Sequence, residues 1–198
     1  MTEEEIDYTQ NGNDMFELFF NSDYEKQEIQ LPSGRNMSFL GLKTAMTDSD
    51  LTGQILWPGC TLLMHWLDKN IDIFNGKTAL EVGAGTAICS TFIAKYGNPK
   101  KVVATDGSAP VVDLMKKNID LHPDAKNIHC CLLGWNKESS QALLKEEFPD
   151  GDKFDFVFGS EIAYNENCVE DLVNTADELL KKDGKFIVVH IDRYYQTT

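Results

Sequence analysis

The fold of this chain is decided by residues 77–106, which read KTALEVGAGTAICSTFIAKYGNPKKVVATD. A short apolar strand is followed by a glycine-rich turn, a helix, and a second strand that ends at Asp106. A glycine-rich turn between a strand and a helix lets backbone N–H groups approach a ligand closely. An acidic residue that closes the next strand can accept hydrogen bonds from both hydroxyls of a ribose. The stretch therefore predicts a site for an adenosine-containing cofactor.

The spacing of the glycines narrows the choice of cofactor. Dinucleotide-binding folds carry G-x-G-x-x-G, but the third glycine position is Ile88 here, which disfavours a dehydrogenase. Gly-x-Gly alone also occurs in tight turns of other doubly wound domains. The alternative spacing, acid-x-G-x-G-x-small, is met by Glu81, Gly83, Gly85 and Ala87. This pattern resembles motif I of the class I S-adenosylmethionine (SAM) methyltransferases.

Predicted strands alternate with predicted helices along the rest of the chain. Strands are expected at 78–82, 101–105, 128–133, 154–159 and 186–191, and helices at 58–69, 86–96, 109–121, 138–148 and 167–182. This alternation predicts an α/β, Rossmann-like, doubly wound and mostly parallel sheet with helices on both faces. An N-terminal β-hairpin is expected over 28–42, and a short helix or strand over 14–20. We expect an acidic N-terminal extension over 1–50 and the cofactor-binding domain over 51–198.

The composition is that of an ordinary globular protein, with 42% hydrophobic and 25% charged residues among 198. No long apolar run or apolar leader is present, so neither a membrane partner nor secretion is expected. The five cysteines are scattered without a C-x-x-C pair, which favours free thiols over a disulfide framework or a metal site. The chain is therefore expected in a reducing compartment, the cytoplasm, with the nucleus as an alternative.

The net charge of −14 disfavours a nucleic-acid partner, whose footprint would be a basic patch. Residues 1–50 contain eleven acidic and three basic side chains, so the charge is uneven along the chain. This balance suits a basic protein partner. The alternative is that the acidic surface only keeps the protein soluble.

Polar, glycine and aromatic residues follow the predicted strands at their carboxyl ends. These are Gly83–Gly85, Asp106, Gly134-Trp135 and Ser160–Tyr164. Ligands of such sheets bind outside the carboxyl ends of the strands, so the four clusters are expected to share one pocket. Trp135 is expected either to pack against adenine and close that pocket, or to lie in the core.

Tyr164 follows Glu161 three positions later in the sequence. If a helical turn begins after the fourth strand, the two side chains share a face and line one opening beside the cofactor. The alternative is a capping acid next to a packed tyrosine.

Five motifs in order resemble methyltransferase family 16, the seven-strand and mostly lysine-specific protein methyltransferases. They are G-x-x-x-W ending at Trp57, E-x-G-x-G, a strand ending in Asp, a tryptophan after a strand, and acid-x-x-Tyr, and they cover about residues 51–192. The resemblance implies SAM contacts from Trp57, Glu81, Gly83, Ala84, Gly85, Asp106, Trp135 and Ser160. It further implies that Glu161 and Tyr164 form the mouth of a substrate channel and are the catalytic residues.

The chain departs from the family pattern at three points. Glu161 stands where the family usually has Asp, and Ala87 where it has the last glycine of motif I. Seven residues follow the fifth predicted strand, so the family's closing strand pair is expected to be missing, through either a shortened sequence or a degenerate enzyme. The function expected from the resemblance is SAM-dependent methylation of a protein lysine. The alternatives are a small-molecule or protein-histidine methyltransferase, and an inactive SAM-binding interaction module.

Overall fold

The computed structural model describes residues 24–42, 49–164 and 166–191. The strands are β1 (Glu25–Gln30), β2 (Asn36–Gly41), β3 (Thr78–Val82), β4 (Lys101–Asp106), β5 (Ile128–Leu132), β6 (Phe154–Ser160) and β7 (Leu180–Val189). The α-helices are α1 (Pro58–Asn70), α2 (Ile88–Tyr96), α3 (Ala109–Asp120), α4 (Lys137–Glu147) and α5 (Val169–Leu179). Short 3₁₀ helices cover Ser49–Gln54, Ile71–Phe74 and Glu166–Cys168. The predicted element at 14–20 lies outside the described residues, and the domain division at residue 50 stays a prediction.

Five parallel strands form the central sheet in the order β5-β4-β3-β6-β7. The chain runs outward from β3 to β5 and then returns to β6, which pairs with β3 on its other side. The direction of the strand order therefore reverses between β3 and β6, and such reversals open a crevice at the carboxyl ends of the strands. The predicted Rossmann-like parallel sheet is confirmed.

Helices cover both faces of the sheet, as predicted. Ala79 of β3 packs into a core with α1, α2 and the β1–β2 hairpin. The neighbouring Leu80 packs on the opposite face with α4 and α5. Ala104 of β4 joins α3 on the first of these faces. All five residues of β3 are buried because successive side chains of a strand point to opposite, covered faces.

The predicted hairpin is present and is anchored to α1. β1 pairs antiparallel with β2, with Ile29 opposite Met37. Asp68 of α1 accepts hydrogen bonds from Ser33 N at 3.1 Å and from Arg35 Nη1 at 2.9 Å, both in the hairpin turn. Burial alone would raise the pKa of Asp68, but these hydrogen bonds hold it below its usual value.

The helix predicted over 167–182 is shorter in the structure. α5 ends at Leu179, and the expected helix stop at Asp183-Gly184 lies within β7 instead. Lys181 ion-pairs with Asp155 of β6, with Nζ 3.2 Å from Oδ1, which draws this segment onto the sheet. The pairing of β6 with β7 is irregular there. Strand pairing with β6 has overridden the helical propensity of this segment. Among the described residues, no helix has the length and apolar character needed to cross a membrane.

Candidate functional site

A cavity of about 570 Å³ opens at the carboxyl ends of the central strands, beside the reversal point between β3 and β6. Its walls contain nine of the ten predicted site residues: Trp57, Gly83, Ala84, Gly85, Asp106, Trp135, Ser160, Glu161 and Tyr164. The expected convergence of four strand ends on one pocket is therefore what the structure shows. Glu81, the tenth residue, is not part of the wall.

The turn after β3 requires glycine at two positions. Gly83 and Gly85 have φ angles of 61° and 55°, in the left-handed region that glycine tolerates best. A Cβ on Gly83 would lie 2.7 Å from Ile162 Cγ2, and one on Gly85 would lie 2.8 Å from the carbonyl oxygen of Gly53. The turn therefore presents bare backbone to the cavity, as a ligand that approaches closely would need.

Residues 52–57 form a strap that crosses over this turn. The indole of Trp57 donates a hydrogen bond from Nε1 to the carbonyl oxygen of Thr52 at 2.8 Å, which closes the strap into a loop. Gly53 lies against Val111, because a Cβ on Gly53 would be 2.9 Å from Val111 Cγ2. The G-x-x-x-W motif is thereby explained: its glycine allows the close approach, and its tryptophan fixes the strap as one wall of the cavity.

Asp106 closes β4 and faces the cavity. Its Oδ2 accepts a hydrogen bond from Gly85 N at 3.2 Å, and its Oδ1 accepts one from Ser108 N at 3.1 Å. Burial raises the pKa of Asp106, although these backbone hydrogen bonds act in the opposite direction. Each carboxylate oxygen has a second lone pair, so both can still accept a hydrogen bond from a vicinal diol such as a ribose.

Glu81 is buried beneath the turn and caps α2. Its Oε2 accepts hydrogen bonds from Ser90 N at 3.0 Å and from Ser90 Oγ at 2.6 Å. Ser90 is the third residue of α2, so this bond satisfies one of the N–H groups that a helix leaves unpaired at its start. Burial raises the pKa of Glu81 to about 7. Its predicted contact with SAM stays a prediction, because the structure shows it supporting the turn from below.

Glu161 follows β6 in a left-handed backbone conformation, with φ 56°. This conformation is costly for a residue with a Cβ and is concentrated at functional sites. Its Oε1 accepts a hydrogen bond from Gly59 N in the first turn of α1 at 3.1 Å, and its Oε2 lies 3.5 Å from His190 Nδ1. A Cβ on Gly59 would lie within 2.9 Å of the Glu161 carboxyl carbon, so glycine is needed there.

The helical turn that would place Glu161 and Tyr164 on one face does not form. Residues 161–164 are irregular, and the next helical segment begins at Glu166. Both side chains nevertheless line the same cavity. Glu161 is a capping acid as well as a wall residue, and Tyr164 is 67% exposed rather than packed. The strand end, and not a helical repeat, brings the two together.

Sequence reasoning missed several members of the wall. Ile162 contacts the glycine turn, Val111 supports the strap, and Cys60 belongs to the first turn of α1. Cys168 ends the 3₁₀ helix at Glu166–Cys168, Asp171 lies in the first turn of α5, and both line the cavity. Ile162 lies within the predicted Ser160–Tyr164 cluster, although it was not named there as a catalytic or cofactor-binding residue. The other four carry no motif and are recognisable only from the packing of helices around the sheet.

The chemistry of this wall fits an adenosyl ligand with an amino-acid tail. A carboxylate is placed for a diol, an indole for the face of a purine, and a Cβ-free turn for the chain between them. The sequence profile described as lysine methyltransferase matches residues 37–198. The chain belongs to the lysine methyltransferase family. This membership confirms the predicted methyltransferase family 16 and its methyl donor, SAM.

Two relatives and one solved structure are similar to this chain. It is 29% identical over 150 residues to the protein-lysine N-methyltransferase EFM3 of Chaetomium thermophilum, covering 73% of this chain and 44% of that protein. It is 28% identical over 173 residues to the protein N-terminal and lysine N-methyltransferase EFM7 of Candida glabrata, covering 85% of this chain and 66% of that protein. A SAM-dependent methyltransferase from Agrobacterium tumefaciens shares the fold, with a TM-score of 0.59 at 15% identity over 85% of this chain and 53% of that one. The chain thus spans about half to two thirds of the length of these proteins.

Proposed function

We propose that this chain catalyses the SAM-dependent methylation of a lysine side chain of a protein substrate. One observation carries the proposal. One cavity is lined both by the glycine turn with Asp106 and by Glu161 with Tyr164, and of these Tyr164 is largely exposed. A cofactor site and an acceptor site are thereby continuous, which an in-line transfer between the two requires.

The part of the cavity around the glycine turn and Asp106 is suited to hold and orient the methyl donor. SAM supplies a methyl group that is activated by its attachment to a positively charged sulfur. In this proposal Asp106 accepts hydrogen bonds from the ribose, Trp135 covers the adenine, and residues 83–85 line the amino-acid portion. The strap over residues 52–57 keeps water from that side of the cavity.

The part of the cavity around Glu161 and Tyr164 is suited to a lysine amine. An amine of pKa about 10.4 in water must lose its proton before it can attack, and transfer into an apolar wall beside a cation favours that loss. The Glu161 carboxylate is held in place by Gly59 N and retains lone pairs that can accept a hydrogen bond from the amine. Tyr164 presents its ring at the mouth, where it can contact a cationic side chain before deprotonation.

The charge around the mouth supports a basic protein as the substrate. Glu166 and Glu170 are exposed beside Asp171, which lines the cavity on its open side. The net charge of −14 acts in the same direction at longer range. In keeping with five free cysteines, we place the enzyme in a reducing compartment, the cytoplasm or the nucleus, without a nucleic-acid or membrane partner.

The role of Glu161 is tested by Glu161→Ala and Glu161→Gln. We expect the alanine variant to lose methyl transfer from radiolabelled SAM to protein by at least about a hundredfold, because the amine is no longer oriented. The affinity for S-adenosylhomocysteine, measured by calorimetry, should change little. The glutamine variant keeps an oxygen for Gly59 N and should retain more activity than the alanine variant. Glu146→Ala removes an exposed acid of α4 and serves as the charge control, with activity within about twofold of wild type.

The outcome that contradicts this role is unchanged turnover in Glu161→Ala.

The class of acceptor is tested with whole lysate and radiolabelled SAM. Label in a protein band, lost after treatment of the lysate with a lysine-blocking reagent, supports a protein lysine. Label confined to small molecules would support the alternative methyltransferase, and binding of S-adenosylhomocysteine without any transfer would support an inactive interaction module.

A further inference from the structure

Two cysteine side chains meet behind the wall of the cavity. Cys60 lies in the first turn of α1 and forms part of the wall. Cys89 lies in the first turn of α2 and is fully buried behind it. The two Sγ atoms are 3.4 Å apart, and Cys89 Sγ is also 4.0 Å from the carbonyl oxygen of Cys60. The pair therefore joins the cavity surface to the core of the fold.

This spacing is close to what a disulfide requires. A disulfide has its sulfurs about 2.05 Å apart, so the two Sγ atoms must approach by about 1.3 Å. α1 and α2 pack directly on each other, which already holds the two first turns side by side. The packing of the two helices thus holds the two thiols within reach of each other.

We propose that Cys60 and Cys89 are an oxidative modification site, and that a hydroperoxide entering the cavity links them as a reversible disulfide. When the cavity holds its ligand, Cys60 is covered and the reaction is slowed. The slowing by a bound ligand rests on the proposed SAM site, whereas the disulfide itself does not. The link would fix the first turn of α1, in which Gly59 holds Glu161, and so would couple the redox state to the acceptor side of the cavity.

The reaction balances with hydrogen peroxide as the oxidant. The sulfur of Cys60 attacks one peroxide oxygen, the O–O bond breaks, and Cys60 becomes a sulfenic acid as one water leaves. The sulfur of Cys89 then attacks the Cys60 sulfur, the S–O bond breaks, and the departing hydroxide takes the Cys89 proton to form a second water. Two thiols are oxidised by two electrons in total, and the peroxide is reduced. Cys60 reacts first because only it reaches the cavity and because burial raises the pKa of the Cys89 thiol.

The test is peptide mapping of the folded protein after exposure to hydrogen peroxide and alkylation of the remaining thiols. We expect a linked peptide pair containing Cys60 and Cys89, lighter by two hydrogen atoms than the free peptides, which a dithiol reductant separates. Cys60→Ser and Cys89→Ala should each abolish the pair. Cys168→Ser, which alters another cysteine of the same wall, should leave it intact. Absence of this pair in the wild-type protein, or preferential linkage of Cys60 to Cys168, would overturn the proposal.

Protection of Cys60 by a bound ligand is tested by measuring the rate of disulfide formation with S-adenosylhomocysteine present at about ten times its dissociation constant, which is determined beforehand by calorimetry. The free fraction is then about one tenth, so linkage should slow by about tenfold. If S-adenosylhomocysteine binds but the rate of disulfide formation does not change, the proposed protection of Cys60 is overturned. Absence of any binding would instead count against the proposed SAM site, while the disulfide itself is still decided by the mapping.

Discussion

Replacing Glu81 by glutamine should change how the stability of this protein depends on pH. Glu81 is fully buried beneath the glycine turn, and burial raises its pKa to about 7. The same carboxyl titrates near 4.5 when exposed, so between these values the folded state binds a proton that the unfolded state has released. Protonated Glu81 therefore contributes its full stability at pH values below the pKa of the unfolded state. This contribution is lost as the pH rises through the pKa of the folded state.

The size of this loss follows from the two pKa values. Linkage between about 4.5 and about 7 gives a cost of roughly 0.8 kcal/mol at pH 5 and roughly 3.4 kcal/mol at pH 8, a difference of about 2.5 kcal/mol. Glutamine keeps an oxygen that can accept the hydrogen bonds from Ser90, and it does not ionise. Any packing cost of the substitution is the same at both pH values and cancels in the comparison.

The assay is urea unfolding of the wild type and Glu81→Gln at pH 5 and at pH 8. We expect the free energy of unfolding of the variant, relative to wild type, to be about 2.5 kcal/mol more favourable at pH 8 than at pH 5. Other titrating groups are shared by the two proteins and drop out of the difference. An equal difference at the two pH values would refute the reasoning and show that Glu81 is ionised in the fold throughout this range.

Three further perturbations test the turn, the carboxylate and the hairpin anchor. Gly85→Ala places a Cβ 2.8 Å from Gly53 O and should lower the free energy of unfolding in urea by about 2–4 kcal/mol. The control Gly76→Ala, with φ 69° and open space around it, should lower it by about 1 kcal/mol. Equal losses in the two variants would mean that the strap does not contact the turn tightly. Asp106→Ala should weaken S-adenosylhomocysteine binding by at least about tenfold in calorimetry, through loss of charge-assisted hydrogen bonds, and an unchanged affinity would place the ribose elsewhere. Asp68→Asn should lower the free energy of unfolding at neutral pH, and by progressively less as the pH falls below about 4. The reason is that hydrogen bonds to Asp68 outweigh its burial and lower its pKa in the fold. A loss of free energy that does not depend on pH would contradict this prediction.

Much of the fold was predictable because its signals are local. The strand over 78–82 is buried on both faces and ends at the glycine turn, and its bounds were predicted without error. The end of α5 was not predictable, because the strand pairing of Leu180 with Phe154 joins residues that are far apart in sequence. Periodicity cannot reveal a contact of that kind.

The site divides in the same way. Gly85 and Asp106 were found because strand ends in a parallel sheet converge by topology alone. Glu81 matched the motif equally well, yet its carboxylate turns down to Ser90 rather than up to the cavity, and the spacing of a motif does not specify that direction. The dual position of Glu161, in the cavity wall and at the start of α1, depends on the approach of Gly59 from a distant helix. Such tertiary contacts carry the chemistry that the sequence leaves open.

The most direct test of the account is a crystal structure with S-adenosylhomocysteine. We predict that its ribose hydroxyls lie within hydrogen-bond distance of the Asp106 carboxylate, with its amino-acid portion over residues 83–85. The sulfur should face the side of the cavity on which Glu161 and Tyr164 lie. Density for the ligand at any other position, or a ribose turned away from Asp106, would contradict the account.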